Sequence, residues 1–123
     1  MISRVVLVED DAAIRTLVEI LLSTEPDFEL VGTAVSAEEG IELVRRLEPD
    51  LLLLDNQLEG ALTGVEAAPA FKAAFAAVVV LLCTALDAAA QAAASPSIDG
   101  FLRKDRIAEL PEVARDLLAQ RSG

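Results

Sequence analysis

The stretch Leu51–Asp55 (LLLLD) places four consecutive leucines directly before an aspartate. Two similar apolar runs occur, Val5–Val8 (VVLV) and Val78–Leu82 (VVVLL). Continuous rather than alternating hydrophobicity predicts strands that are covered on both faces, as in a parallel sheet between two layers of helices. Two shorter or more polar segments, Phe28–Ala34 and Gly100–Leu102, are predicted as strands at the edges of that sheet.

Helical patterns lie between the predicted strands. Asp11 is a possible N-cap for the first helix, and Ser36–Glu39 (SAEE) predicts a capping box for a second helix that ends near Pro49. The alanine-rich segments 65–75 and 86–95 are also predicted to be helical. Apolar residues recur at helical spacing in the first helix, at Ile14, Leu17, Val18, Leu21 and Leu22. They recur in the same way in the last helix, at Leu110, Val113, Ala114, Leu117 and Leu118.

This alternation predicts an α/β protein of the (βα)5 type, a single domain over residues 1–123. Parallel strands joined by right-handed helical crossovers give a doubly wound, five-stranded sheet with helices on both faces, a three-layer sandwich. Strand order 2-1-3-4-5 places the two weak strands at the edges and the three apolar runs inside.

Composition excludes several classes of function. The chain has 10 Lys and Arg against 21 Asp and Glu, a net charge of −11, which opposes binding to nucleic acid and to anionic membranes. The absence of His removes Ser-His and Cys-His catalytic pairs, and the lone Cys83 cannot form an internal disulfide. No apolar run approaches the ~20 residues of a membrane span. We therefore expect a cytoplasmic location.

Polar residues follow the predicted strands at their carboxyl ends. Glu9 and Asp10 follow strand 1, Asp55 ends strand 3, Thr84 ends strand 4 and Lys104 lies just beyond strand 5. In open α/β sheets, ligands bind at this edge, beside the point where strand order reverses. With order 2-1-3-4-5 this point lies between strands 1 and 3, so the three carboxylates should converge.

Three crowded carboxylates repel one another and need a compensating charge. A hard divalent cation such as Mg²⁺ prefers oxygen ligands of this kind, and Lys104 can supply a further positive charge. With a phosphoryl donor, Asp55 becomes a candidate nucleophile, while Thr84 offers a hydroxyl hydrogen bond. The expected product is an acyl phosphate.

Four stretches in register resemble the receiver domains of two-component response regulators: Val6–Asp11, Leu53–Asp55, Leu82–Ala85 and Gly100–Lys104. The resemblance covers essentially the whole chain and implies a flavodoxin-like fold. It identifies Asp55 as the phosphoacceptor.

The resemblance also implies a role for each of the surrounding residues. Mg²⁺, or Mn²⁺ in its place, would be held by Asp10, Asp55, the backbone carbonyl of Gln57 and, through water, Glu9. Lys104 would pair with the phosphoryl group, and the switch residues would be Thr84 and Phe101.

The same resemblance implies partners. The phosphodonor would be a sensor histidine kinase or a phosphotransfer protein. The surface of helix 4, strand 5 and helix 5 would contact a downstream protein, with no direct binding of nucleic acid or membrane. The domain would be a monomer or a phosphorylation-linked dimer, and it would catalyse only its own phosphorylation and dephosphorylation.

The sequence departs from the family pattern after the phosphoacceptor. Glu59 stands where Pro is usual, and the following glycine, Gly64, comes one residue late, so the loop Leu58–Thr63 is expected to be rebuilt. Lys104 precedes Asp105 rather than the commoner Pro.

Simpler interpretations and rival functions stay open at this point. Asp11 is best explained as a helix cap, and Cys83 as core packing. Thr84 could be an ordinary strand end, and Phe101 is as readily a core residue as a switch. A degenerate receiver could bind partners without phosphorylation. A phosphatase with Asp55 as nucleophile would usually carry a second acid at Gln57, and a flavin carrier would need ring-stacking aromatics.

Overall fold

The computed structural model describes residues 1–58, 60, 62–85 and 89–122. Strands and helices alternate along the chain, as the sequence predicts. The strands are β1 (Ser3–Val8), β2 (Phe28–Ala34), β3 (Leu51–Asp55), β4 (Val79–Thr84) and β5 (Gly100–Arg103). The helices are α1 (Ala12–Ser23), α2 (Ala37–Leu47), α3 (Gly64–Ala74), α4 (Ala89–Ala94) and α5 (Leu110–Ser122), with a 3₁₀ helix (Lys104–Glu109) before α5.

The five strands form one parallel sheet in the order β2-β1-β3-β4-β5. The predicted fold class and strand order are therefore confirmed, with the two more polar strands at the edges. In this register Val8 lies opposite Leu54, and Asp55 lies opposite Cys83. Strands β1, β3 and β4 consequently end at nearly the same level.

The core has two layers, one on each face of the sheet. Val6 and Val8 point into a layer that includes Val44 of α2 and Phe71 of α3. Val5 and Leu7 point into the opposite layer with residues of α1 and α5. Successive residues of β1 thus enter opposite layers, which explains why this strand is continuously apolar.

Helix ends follow the predicted caps with one difference. Asp11 accepts hydrogen bonds from Ala13 N (2.8 Å) and Ile14 N (3.2 Å), so it caps α1. Ser36 Oγ accepts from Glu39 N, but the Glu39 carboxylate accepts from Val35 N rather than from Ser36 N. The predicted capping box is therefore only half formed, because the Glu39 carboxylate bonds the amide of Val35, one residue before the N-cap.

The predicted apolar face of α1 is wrong at one position. Val18 and Leu22 are buried, whereas Leu17 is 37% exposed. Each residue turns an α-helix by about 100°, so Leu17 lies off the line through Val18 and Leu22 that faces the sheet. Strand β5 extends one residue further than predicted, to Arg103.

Two predictions fall partly outside the described residues. The expected rebuilding of the loop Leu58–Thr63 involves Glu59 and Ala61, and the predicted helix 86–95 includes residues 86–88, none of which are described. Within the described part, α4 begins at Ala89 and Gly60 has a φ of 101°.

None of the helices in the described ranges has the length and apolar character needed to cross a bilayer.

Candidate functional site

The polar residues predicted for the site lie at the carboxyl edge of the sheet. Glu9 and Asp10 follow β1, Asp55 and Thr84 are the last residues of β3 and β4, and Lys104 is the first residue after β5. Glu9, Asp55 and Thr84 are buried, with 2%, 2% and 0% of their surface exposed. Asp10 is exposed. The structure therefore brings buried acids and an accessible acid to one edge.

Glu9, Asp10 and Asp55 form an acidic cluster. Each contributes a carboxylate oxygen, and these oxygens lie within 4.8 Å of one another. Hard oxygen donors at this spacing suit Mg²⁺ or Mn²⁺. The predicted convergence of the three carboxylates is confirmed, and the donor set fits the ion that the sequence implies.

Lys104 reaches into this cluster from the start of the 3₁₀ helix that follows β5. Its Nζ lies 2.8 Å from Glu9 Oε1 and 3.2 Å from Asp55 Oδ2. Burial alone would lower the pKa of this ammonium, but the Glu9 hydrogen bond and the charges of Asp55 and Glu9 outweigh it and raise the pKa. Lys104 therefore stays charged at neutral pH.

Glu9 is the most perturbed acid of the site. Burial raises its pKa from 4.5 to about 7, and the neighbouring Asp55 adds to that rise, while Lys104 opposes it. Its carboxylate also accepts a hydrogen bond from Asp11 N (3.2 Å). Near neutral pH, Glu9 can therefore gain or lose a proton as charge beside it changes.

Gln57 is held next to Asp55 through its backbone. Its N–H donates to Asp55 Oδ1 at 3.2 Å, and its side chain is exposed. This contact fixes the Gln57 backbone beside Asp55; the predicted role of its carbonyl as a metal ligand stays a prediction.

Phe101 lies on β5, away from the carboxylates. It is half-buried and packs against the core layer that contains Leu82 and Ala92. It also lines a cavity of about 160 Å³ beside α4, together with Ala92, Ala93 and Ile98. The structure thus shows Phe101 as a partly packed aromatic with free volume beside it.

Sequence reasoning missed two residues that hold the loops of the site. Arg15 Nη1 donates to the backbone carbonyls of Glu9 (3.0 Å) and Asp10 (3.1 Å). Asn56 Oδ1 accepts from Val65 N at 2.9 Å. An arginine five residues after Asp10 and an asparagine directly after Asp55 were visible signals, but neither position is distinctive without the fold.

Comparison with known proteins identifies the family. The model of the response regulator receiver domain matches residues 5–115. This chain belongs to the response regulator receiver domain family. The four stretches by which this receiver domain resembles its family lie at the carboxyl ends of β1, β3, β4 and β5, where the site is formed.

Relatives of this receiver domain include longer proteins, of which the match covers only a part. It is 43% identical over 56 residues to a protein-glutamate methylesterase/protein-glutamine glutaminase of Methanosarcina mazei, a match over 46% of this chain and 15% of that protein. It is 44% identical over 62 residues to the nitrate/nitrite response regulator protein NarL of Escherichia coli, covering 50% and 28%. The matches thus span less than a third of either relative.

Solved receiver structures share the fold. A two-component response regulator of the LuxR family from Aurantimonas superimposes with a TM-score of 0.89 at 27% identity, covering 98% of this chain and 88% of that one. The response regulator domain of CheB from Thermotoga maritima gives a TM-score of 0.84 at 22% identity, covering 100% and 98%.

Proposed function

We propose that this receiver domain is a phosphorylation switch that accepts a phosphoryl group on Asp55 from a sensor histidine kinase or a phosphotransfer protein. The observation that carries the proposal is the position of the buried Asp55 carboxylate, 3.2 Å from the Lys104 ammonium and clustered with Glu9 and Asp10. We expect the domain to act in the cytoplasm and to have no enzymatic activity on other substrates.

In the proposed reaction, a carboxylate oxygen of Asp55 attacks the phosphorus of phosphohistidine. The new P–O bond replaces the P–N bond, whose electron pair returns to the imidazole nitrogen, and that nitrogen takes up a proton. Lys104 would neutralise negative charge on the phosphoryl oxygens, and the Thr84 hydroxyl would hydrogen-bond one of them.

A divalent cation would complete the charge balance. Asp10, Asp55 and the Gln57 carbonyl would bind Mg²⁺ or Mn²⁺ directly, with Glu9 acting through water. When bound, the ion would supply positive charge to the phosphoryl oxygens. The three clustered carboxylates support this assignment because one lysine cannot compensate all of them.

Phosphorylation would be transmitted to the face formed by α4, β5 and α5. Movement of Thr84 toward the phosphoryl group would draw the Phe101 ring inward, and the cavity between α4 and β5 shows that this ring is not tightly packed on every side. A downstream protein would bind this face, with the domain as a monomer or as a phosphorylation-linked dimer. The net charge of −11 opposes direct binding to nucleic acid.

The test is incubation with Mg²⁺ and acetyl phosphate, followed by intact mass spectrometry. We expect one added phosphoryl group that hydroxylamine removes, and none in Asp55→Asn or without a divalent cation. Asp10→Asn should also prevent it, because it removes a metal ligand. Asp11→Asn is the matched control, since it removes the neighbouring charge while Asn still caps α1.

Absence of modification in the wild-type protein with acetyl phosphate and with phosphorylated kinase would overturn the proposal. It would favour a degenerate receiver that binds its partner constitutively. Equal losses in Asp10→Asn and Asp11→Asn would contradict the assignment of Asp10 as a metal ligand.

A further inference from the structure

Asn56 joins two segments that meet beside the phosphoacceptor. It follows Asp55 directly and precedes Gln57, so it lies in the turn that leaves β3. Its backbone carbonyl accepts from Gly64 N at 3.0 Å, and its side-chain Oδ1 accepts from Val65 N at 2.9 Å. One residue therefore ties the start of the β3–α3 loop to its end.

These contacts satisfy amides that a helix cannot satisfy itself. The first N–H groups of an α-helix have no partner within the helix. At the start of α3, Asn56 accepts hydrogen bonds from the N–H groups of Gly64 and Val65. The N-cap side chain of Thr63 accepts a hydrogen bond from Glu66 N at 3.2 Å. The first turn of α3 is thus capped partly by Asn56, which lies next to Asp55, and partly by the N-cap residue Thr63.

Gly64 makes this close approach possible. A Cβ at Gly64 would lie 2.3 Å from the backbone oxygen of Asp55 and 3.0 Å from Asn56 Cα. The start of α3 therefore lies directly against the backbone that carries Asp55. A shift of Asn56 would move this backbone and the adjoining Gln57 together.

We propose that Asn56 is a positioning residue that fixes the Asp55–Gln57 turn for metal binding by anchoring it to the first turn of α3. The inference depends on the proposed function, because Asp55 and Gln57 are its metal ligands. A side chain that orients a ligand without touching the metal typically changes metal affinity by about 10-fold or more when it is removed.

The test compares two variants that each remove one cap from the same helix turn. Asn56→Leu keeps the side-chain size but has no acceptor, whereas Thr63→Ala removes the N-cap without touching the Asp55–Gln57 turn. Mn²⁺ affinity is measured by electron paramagnetic resonance, and amide exchange at Val65 by NMR. We expect about 10-fold weaker Mn²⁺ binding and faster Val65 exchange in Asn56→Leu.

Thr63→Ala should bind Mn²⁺ within about twofold of wild type, although it also weakens the helix end. Asn56→Asp, which keeps an acceptor oxygen, should retain slow exchange at Val65. Wild-type Mn²⁺ affinity in Asn56→Leu, or an equal loss in Thr63→Ala, would overturn the role of Asn56. A wild-type protein that binds no Mn²⁺ and takes no phosphoryl group would instead overturn the proposed function on which this role rests.

Discussion

The ammonium of Lys104 lies 2.8 Å from the carboxylate of Glu9, closer than the 3.2 Å that separates it from Asp55. Both acids are buried, and the Lys104 side chain is only 14% exposed. The cation that would serve a phosphoryl group is thus paired with both buried acids, most closely with Glu9. The relationship makes the stability of the domain depend on the charges of the site.

Lys104→Met should destabilise the metal-free protein at pH 8 by roughly 3 kcal/mol, because it leaves the Glu9 and Asp55 charges buried without their partner. The loss should shrink at pH 5, where Glu9 is protonated, and also when Mg²⁺ is added. Urea unfolding followed by far-UV circular dichroism measures this, since the chain has no Trp or Tyr.

The control for that variant is Arg103→Met, which removes the cation of an exposed pair with Asp105. Its cost should stay below about 1 kcal/mol. A loss in Lys104→Met that is no larger than this would contradict a buried, energetically important pairing.

The raised pKa of Glu9 predicts that the contribution of this residue to stability falls as pH rises from about 4.5 to about 7 in metal-free buffer. In this window the unfolded chain has released the Glu9 proton while the folded state still holds it, so raising the pH stabilises the unfolded state relative to the folded state and lowers the free energy of unfolding. Below the window both states are protonated, and above it both are ionised. The contribution should approach roughly 3 kcal/mol.

Glu9→Gln removes this titration, so the difference in unfolding free energy between wild type and variant should change across the same pH window. Glu19→Gln, at an exposed position of α1, is the matched control for replacing a glutamate by glutamine. A pH-dependent difference for Glu9→Gln no larger than that for Glu19→Gln would show that Glu9 titrates alike in both states.

Gly64→Ala should cost about 1–3 kcal/mol, because its Cβ would overlap the backbone oxygen of Asp55 at 2.3 Å. Gly32→Ala provides the comparison, since its Cβ would meet the ends of the flexible Leu47 and Leu43 side chains, the nearest atom at 3.2 Å. Equilibrium unfolding should rank Gly64→Ala well below Gly32→Ala in stability. Equal stabilities would mean that the start of α3 can move away from β3 at little cost.

Arg115→Ala should destabilise the domain, by more at low salt than at high salt, because salt screens exposed ion pairs. Arg115 pairs with Asp27 and Glu25, each at 2.8 Å, and its guanidinium lies 5.4 Å from the Phe28 ring centre, so it joins α5 to the edge of the sheet. Arg45→Ala breaks only an exposed pair with Glu42 within α2 and should change stability by a few tenths of a kcal/mol. Thermal unfolding at two salt concentrations distinguishes the two.

Patterns that act over a few residues were predicted well from the sequence. The apolar runs of β1, β3 and β4 indicated strands buried on both faces, and Asp11 indicated a helix start. The exposed position of Leu17 was missed because α1 has apolar residues on more than one side, and only contact with the sheet selects the buried line. Asn56 was missed because its partner, Val65, is nine residues away.

The sequence by itself determined the order of strands and helices, the edge of the sheet where the acids gather and the excess of negative charge. The first two follow from hydrophobic periodicity and from the requirement that parallel strands end on the same side, and the third follows from composition. Only the tertiary structure decided that Lys104 pairs with Glu9, that Glu9 is buried enough to shift its pKa, and that Asn56 anchors α3. Each of these depends on a distance between residues that are not neighbours in the chain. Packing of the whole fold sets such distances, and the pattern of residues within one strand or helix does not encode them.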